Sequence, residues 1–158
     1  MFWFEPYDQL FSCSSLIIFD LDNTIYPESQ WLLSAYRQIS NLSANSNLIY
    51  KSFVDLYYSE GRKNIFQKIK NIHPCAKGTI NDWLKVMHYQ SVQLYPYAWF
   101  SHFAERYSKF PLCVVTNGNP AQQMNKYYSL SLYRWIYPSN FFCANLYEPK
   151  PSPKAGLT

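Results

Sequence analysis

Apolar positions change period three times along the chain. Residues 15–19, Ser-Leu-Ile-Ile-Phe, form a short continuous apolar run that ends at Asp20, the pattern of a strand buried on both faces of a parallel sheet. From Ser29 to about Met87 the spacing becomes helical: Leu32, Leu33, Tyr36 and Ile39, then Leu48, Ile49, Phe53, Leu56 and Tyr57 before Gly61, then Ile65, Phe66 and Ile69. Three helices are expected there. A fourth starts near Thr79, where Thr79 and Asp82 have capping-box spacing and Trp83, Leu84 and Met87 follow. Strand character returns at Pro111–Thr116 after an amphipathic stretch from Tyr97 to Phe110 that reads as a crossover helix. Asn119-Pro120 is a cap followed by proline at the first helical position, so a helix is predicted to about Ser129. Phe141–Ala144 reads as a third strand, and Ser152-Pro153 repeats the cap-proline signal close to the end of the given sequence.

This alternation is that of an α/β protein with a helical insertion after its first strand. A chain of 158 residues, 48% hydrophobic, suffices for one core or for one core with a small inserted subdomain. The four cysteines, Cys13, Cys75, Cys113 and Cys143, contain no C-x-x-C pair, which fits a reducing cytoplasm. The aromatic start, MFWFEPYDQLF, has no basic region and no long apolar stretch. No run reaches the roughly 18 apolar residues of a membrane span, so a soluble chain without a membrane partner is expected.

The formal net charge of +4 collects between residues 51 and 85, where seven Lys and Arg face Asp55, Glu60 and Asp82. Such a region draws anionic ligands, but its basic residues are spread over several helices without a docking motif, which argues against a nucleic-acid duplex as partner. His73, His88 and His102 have no zinc-ligand spacing with a cysteine and read as packing or surface residues.

Chemistry concentrates at Asp20-Leu21-Asp22-Asn23-Thr24. Residues two apart on extended backbone point the same way, so both carboxylates face the crevice at the carboxyl end of the strand, where open α/β sheets bind ligands. One can attack phosphorus and form an aspartyl-phosphate; the other, raised in pKa by the like charge beside it, can protonate the leaving oxygen and then activate water. A D-x-D pair also occurs in calcium loops, but that reading needs glycine at the sixth position and glutamate at the twelfth, where this chain has Ile25 and Trp31.

The order of an apolar strand, DLDNT, a helical insertion, CVVTNGNP and EPKPSP resembles the haloacid dehalogenase (HAD) superfamily, in the subfamily whose helical cap lies between the first and second motifs. The resemblance implies a Rossmann-like parallel sheet core, residues 1–26 and 93–158, with a helical cap at 27–92. It implies Asp20 as nucleophile, Asp22 as acid and base, Thr116 as the hydroxyl on the phosphoryl group and Lys150 as the third-motif lysine, with the amides of Asn117 and Gly118 as further phosphoryl donors. Gln122, Gln123, Lys126 and Leu130 match the family's helix after the second motif loosely and take a structural role. Magnesium is implied as cofactor, held by the Asp20 side chain and the Asp22 backbone carbonyl.

Family members also carry a fourth, acidic motif after a further strand, whereas no Asp or Glu follows Glu148. The expectation is a core incomplete at its C-terminus, with the first strand left as an apolar edge open to self-association or to completion in trans. The activity expected is hydrolysis of a small phosphorylated metabolite such as a nucleotide or sugar phosphate. A catalytically impaired remnant or interaction module is the alternative.

Overall fold

The computed structural model describes residues 16–146 and 148–151. The aromatic N-terminal segment, Cys13 and the Ser152-Pro153 helix start lie outside the described residues. Three parallel strands, β1 (Ile17–Phe19), β2 (Leu112–Thr116) and β3 (Phe141–Cys143), make a sheet in the order β1-β2-β3. The register pairs Ile18 with Cys113 and Val115 with Phe142. Strand β2, flanked on both sides, is buried along its whole length, which is why LCVVT reads as an unbroken apolar run.

Between β1 and β2 the chain forms α1 (Ser29–Ser40), α2 (Ser46–Glu60), α3 (Ile65–Ile72), α4 (Ile80–Tyr89) and α5 (Ala98–Arg106). The capping box at α4 is complete: the Thr79 hydroxyl accepts from the Asp82 amide, and the Asp82 carboxylate accepts from the Thr79 amide. After β2, α6 (Pro120–Ser129) starts as the Asn119-Pro120 signal predicts, with the Asn119 side chain accepting from the Gln122 amide.

One contiguous apolar cluster runs from the inserted helices into the sheet. In the insertion, Tyr36 of α1 stacks on Phe53 of α2 with ring centres 4.6 Å apart, and Trp83 of α4 closes edge-on against Phe53 and Phe66. At the sheet, Phe19 meets Phe100 and Phe103 of α5 edge-on, which seats that helix against β1. The Phe19 contacts hold the carboxyl end of β1 against α5. Among the described residues β1 pairs with β2 alone; Ile18 on it and Leu16 just before it are exposed. No helix among the described residues is long and apolar enough to cross a membrane.

Candidate active site

The site forms where β1 and β2 end. Asp20 follows β1 directly, and the chain then folds back sharply: Asn23 takes a left-handed conformation (φ 58°), which its short polar side chain tolerates, and its Oδ1 accepts from the Glu28 amide at 3.0 Å. This turn brings Tyr26 back onto Asp22, whose Oδ1 accepts from the Tyr26 hydroxyl at 2.7 Å.

Thr116 ends β2, and Gly118 lies two residues further on with φ +129°. The backbone angle favours glycine at Gly118, and a Cβ built there would stand 2.9 Å from Gln123 Nε2, so that side chain would have to shift. Asn117 clamps the backbone of Lys150: its Oδ1 accepts from the Lys150 amide at 2.9 Å, and its Nδ2 donates to the Lys150 carbonyl at 3.3 Å. Lys150 Nζ in turn donates to Asp20 Oδ1 at 2.5 Å and to the Val115 carbonyl at 2.7 Å. Residues 130 positions apart in sequence therefore meet as an ion pair at the end of β1.

Thus Asp20, Asp22, Thr116, Asn117, Gly118 and Lys150 are gathered around two adjacent strand ends. Their bonding differs in detail from expectation. Thr116 is buried, and its hydroxyl accepts from Gln123 Nε2 at 2.9 Å. The Gly118 amide donates to Asn145 Oδ1 at 2.9 Å.

The larger difference is at Asp22. Lys126 of α6 is 1% exposed, and its Nζ donates to Asp22 Oδ1 at 2.7 Å and to Oδ2 at 2.9 Å. Gln123 Nε2 adds a bond to Oδ2 at 3.1 Å. Burial pushes the Asp22 carboxyl up, but the Lys126 charge and the bonds from Lys126, Tyr26 and Gln123 outweigh it and hold Asp22 below the usual carboxylate range. The upward shift expected from the like charge of Asp20 is therefore reversed. Burial pulls Lys126 below the ordinary lysine value, against the opposing pull of Asp22.

Gln123 and Lys126, expected only to pack, thus both bond to Asp22. The signal was present in the sequence: Gln123, Lys126, Tyr127 and Leu130 share one helix face by their spacing, and a lysine on a core-facing stripe requires a counter-ion.

Nearby, Glu28 is buried and pairs with Arg62, which comes from the turn between α2 and α3. Burial and then the Asp22 charge raise the Glu28 carboxyl, with Arg62 and Lys126 opposing. No cluster of three or more His, Cys, Asp or Glu able to hold a metal occurs among the described residues. The donor set at the strand end nonetheless fits a hard cation that retains several waters. Asp20 uses Oδ1 for Lys150, and its side chain is 43% exposed, whereas both Asp22 oxygens are occupied by Lys126, Tyr26 and Gln123. Asp22 could reach such an ion only through its backbone carbonyl.

The strand order β1-β2-β3 and the helical insertion after β1 give an α/β, Rossmann-like fold that is shared with solved haloacid dehalogenase-like proteins. The similarity to solved structures is on this level. A haloacid dehalogenase-like protein of unknown function, ATU0790 from Agrobacterium tumefaciens, superposes with a TM-score of 0.54 at 16% identity over 89% of this chain and 65% of its own. L-2-haloacid dehalogenase from Xanthobacter autotrophicus gives 0.54 at 10% identity over 89% and 61%. YfnB of Bacillus subtilis, a HAD-hydrolase solved with magnesium bound, gives 0.51 at 14% over 82% and 65%. The chain therefore spans a little under two thirds of the length of these three proteins. No family model and no curated protein sequence matches it.

Proposed function

We propose that the chain carries the phosphoryl-transfer centre of a magnesium-dependent phosphomonoester hydrolase with Asp20 as nucleophile. The observation that carries this reading is the contact between Lys150 and Asp20 at the end of β1, beside a second carboxylate, Asp22, held by its own lysine. Lys150 neutralises charge where a carboxylate and a phosphate would otherwise repel, and its clamped backbone keeps it there.

In the first step an Asp20 oxygen bonds to phosphorus, the phosphorus–oxygen bond to the leaving alcohol breaks, and the alcohol oxygen takes the proton shared between Lys126 and Asp22. In the second, a water oxygen attacks the aspartyl-phosphate, Asp22 takes its proton, and phosphate leaves with Asp20 and the Asp22–Lys126 pair restored. Thr116 and the amide of Asn117 are suited to hold phosphoryl oxygens, and the Gly118 amide becomes available on release of Asn145. Magnesium, held by Asp20 and the Asp22 carbonyl, would neutralise charge on the transferring group. The magnesium bound to YfnB supports that choice. The four helices α1–α4, within the expected cap of residues 27–92, would exclude water from the centre and select the substrate.

The test is release of phosphate from p-nitrophenyl phosphate by the purified chain, with magnesium or with EDTA, beside Asp20→Asn. Release that depends on magnesium and vanishes in Asp20→Asn is expected. Turnover retained in Asp20→Asn, or absent from a folded wild-type sample, overturns the reading. Magnesium dependence also separates it from a dehalogenase, which needs no metal.

A further inference from the structure

At the end of the sheet opposite the carboxylates lies a cavity of about 430 Å³, a size within the range of small-molecule sites. The turn from α5 into β2 forms one wall, and the segment 133–140 before β3 forms the other. Asn140 Nδ2 donates to the Leu112 carbonyl at 3.3 Å and so ties the two walls together. Strand β2 starts at this cavity with Leu112 and ends in the carboxylate centre with Thr116, about 13 Å further on at roughly 3.3 Å per residue. The cavity is therefore separate from that centre.

Its charge has one sign. Lys109 and Arg134 line it, no Asp or Glu does, and neither cation has an ion pair or a side-chain hydrogen bond among the described residues. The Arg134 guanidinium lies over the Trp135 ring, 4.9 Å from its centre, and Trp135 is itself seated edge-on against Phe100 of α5. That contact steadies the guanidinium through its face and leaves its N–H donors free for a ligand. Aromatic surface is the second feature. Tyr133 and Tyr137, 57% and 75% exposed, line the same cavity, and among the described residues neither meets another ring.

We propose that this cavity binds a small aromatic carboxylate, with Arg134 and Lys109 on the carboxylate and Tyr133 and Tyr137 against the ring. The proposal goes beyond the phosphoryl-transfer reading and stands without it. A cationic ligand would find no counter-charge, and a neutral apolar one would bury two cations without an anion. A hydrated inorganic anion would gain nothing from the rings. The two parallel N–H groups of an arginine fork match the two oxygens of a carboxylate, and the lysine adds a point charge. A phosphate needs donors for three oxygens, and no α-helix among the described residues starts at this cavity to supply amides.

The test is calorimetric titration of the full chain with 2-naphthoate in magnesium-free buffer, beside neutral 2-naphthamide and acetate. Naphthoate is expected to bind with a Kd below about 1 mM, at least about five-fold tighter than naphthamide, and acetate not measurably. Arg134→Gln should weaken naphthoate about three- to ten-fold, the range of one partly exposed charge-assisted contact, and Lys109→Gln at least about two-fold. Tyr137→Ala should weaken it at least about three-fold. All three positions are exposed, so the fold should tolerate the changes. Lys51→Gln, which removes an exposed charge elsewhere, and Lys150→Ala, which removes the cation of the carboxylate centre, should leave the affinity unchanged. No binding at millimolar naphthoate, equal binding of naphthamide, indifference to Arg134→Gln and Lys109→Gln, or loss in Lys150→Ala overturns the proposal.

Discussion

Replacing Lys126 by methionine leaves the Asp22 carboxylate in place and removes the charge that neutralises it. The lysine is 1% exposed and the Asp22 side chain 21% exposed, so little solvent is on hand to substitute. Methionine keeps most of the volume, and the packing loss should be small. What remains is a largely buried anion held by Tyr26 and Gln123. Removing one partner of a buried pair costs about 3–5 kcal/mol. The surviving bonds and the partial exposure of Asp22 bring the expected loss to about 3 kcal/mol, against a total of about 5–15 kcal/mol for a typical domain. The variant should stay folded but melt early. With a urea slope of about 2 kcal/mol/M, the midpoint falls by about 1.5 M.

The pair itself is isolated by a double-mutant cycle. Lys126→Met with Asp22→Asn removes both charges, and an apolar or neutral substitute for a buried ion pair is often close to neutral. The double variant should therefore regain about 2 kcal/mol relative to the sum of the single losses, read by urea denaturation with circular dichroism. A Lys126→Met loss below about 1 kcal/mol, or a cycle that is additive within about 0.5 kcal/mol, would refute the claim that Lys126 is the counter-ion of Asp22.

Because the folded-state pKa of Asp22 is depressed, its contribution to stability is present above the unfolded carboxyl value of about 3.9 and is lost as pH falls through the lower folded value; Asp22→Asn should flatten this part of the acid denaturation curve. Gly118→Ala meets both an unfavourable φ and the Gln123 side chain, and a loss of at least about 1 kcal/mol is expected in thermal melts, with no loss counting against the close approach. Lys150→Ala should lower phosphate release by two orders of magnitude or more, the scale of losing one preorganised electrostatic group, while leaving the melt within about 1 kcal/mol because the pair with Asp20 is partly exposed. Ile18→Lys on the exposed edge of β1 should reduce self-association seen by sedimentation, and an unchanged sedimentation profile would argue against that edge as the contact.

Most of the element order was legible because each element carries its own local cause. The apolar run of β2 lies between two neighbours, Thr79 and Asp82 close a capping box on themselves, and Asn119-Pro120 sets the start of α6 within a single turn. The placement of Asp20 directly after β1 and of Thr116 at the end of β2 was legible for a related reason, since a strand that ends on a polar residue delivers it to the crevice above the sheet, whereas Lys150 was located only by the resemblance. The N-terminal margin of β1 was less so: the apolar run starts at Leu16, but pairing begins at Ile17, with the Ile17 amide bonded to the Pro111 carbonyl.

The charge state of Asp22 was not legible, for a different reason. From sequence the nearest charge is Asp20, two residues away, and local reasoning makes the pair repel and raises the second acid. The folded chain replaces that neighbour with one 104 residues distant: α6 leans its Gln123–Lys126 face against the end of β1 and supplies an ammonium at hydrogen-bond distance from both oxygens. A Coulomb interaction through protein at that separation outweighs one between partly exposed carboxylates across solvent. The sign of a pKa shift is therefore a tertiary property, set by which helix packs on the strand end. A lysine on a core-facing helix stripe is the one local clue that the repulsion has been answered, because burial of an ammonium demands an anion, and the strand end holds two.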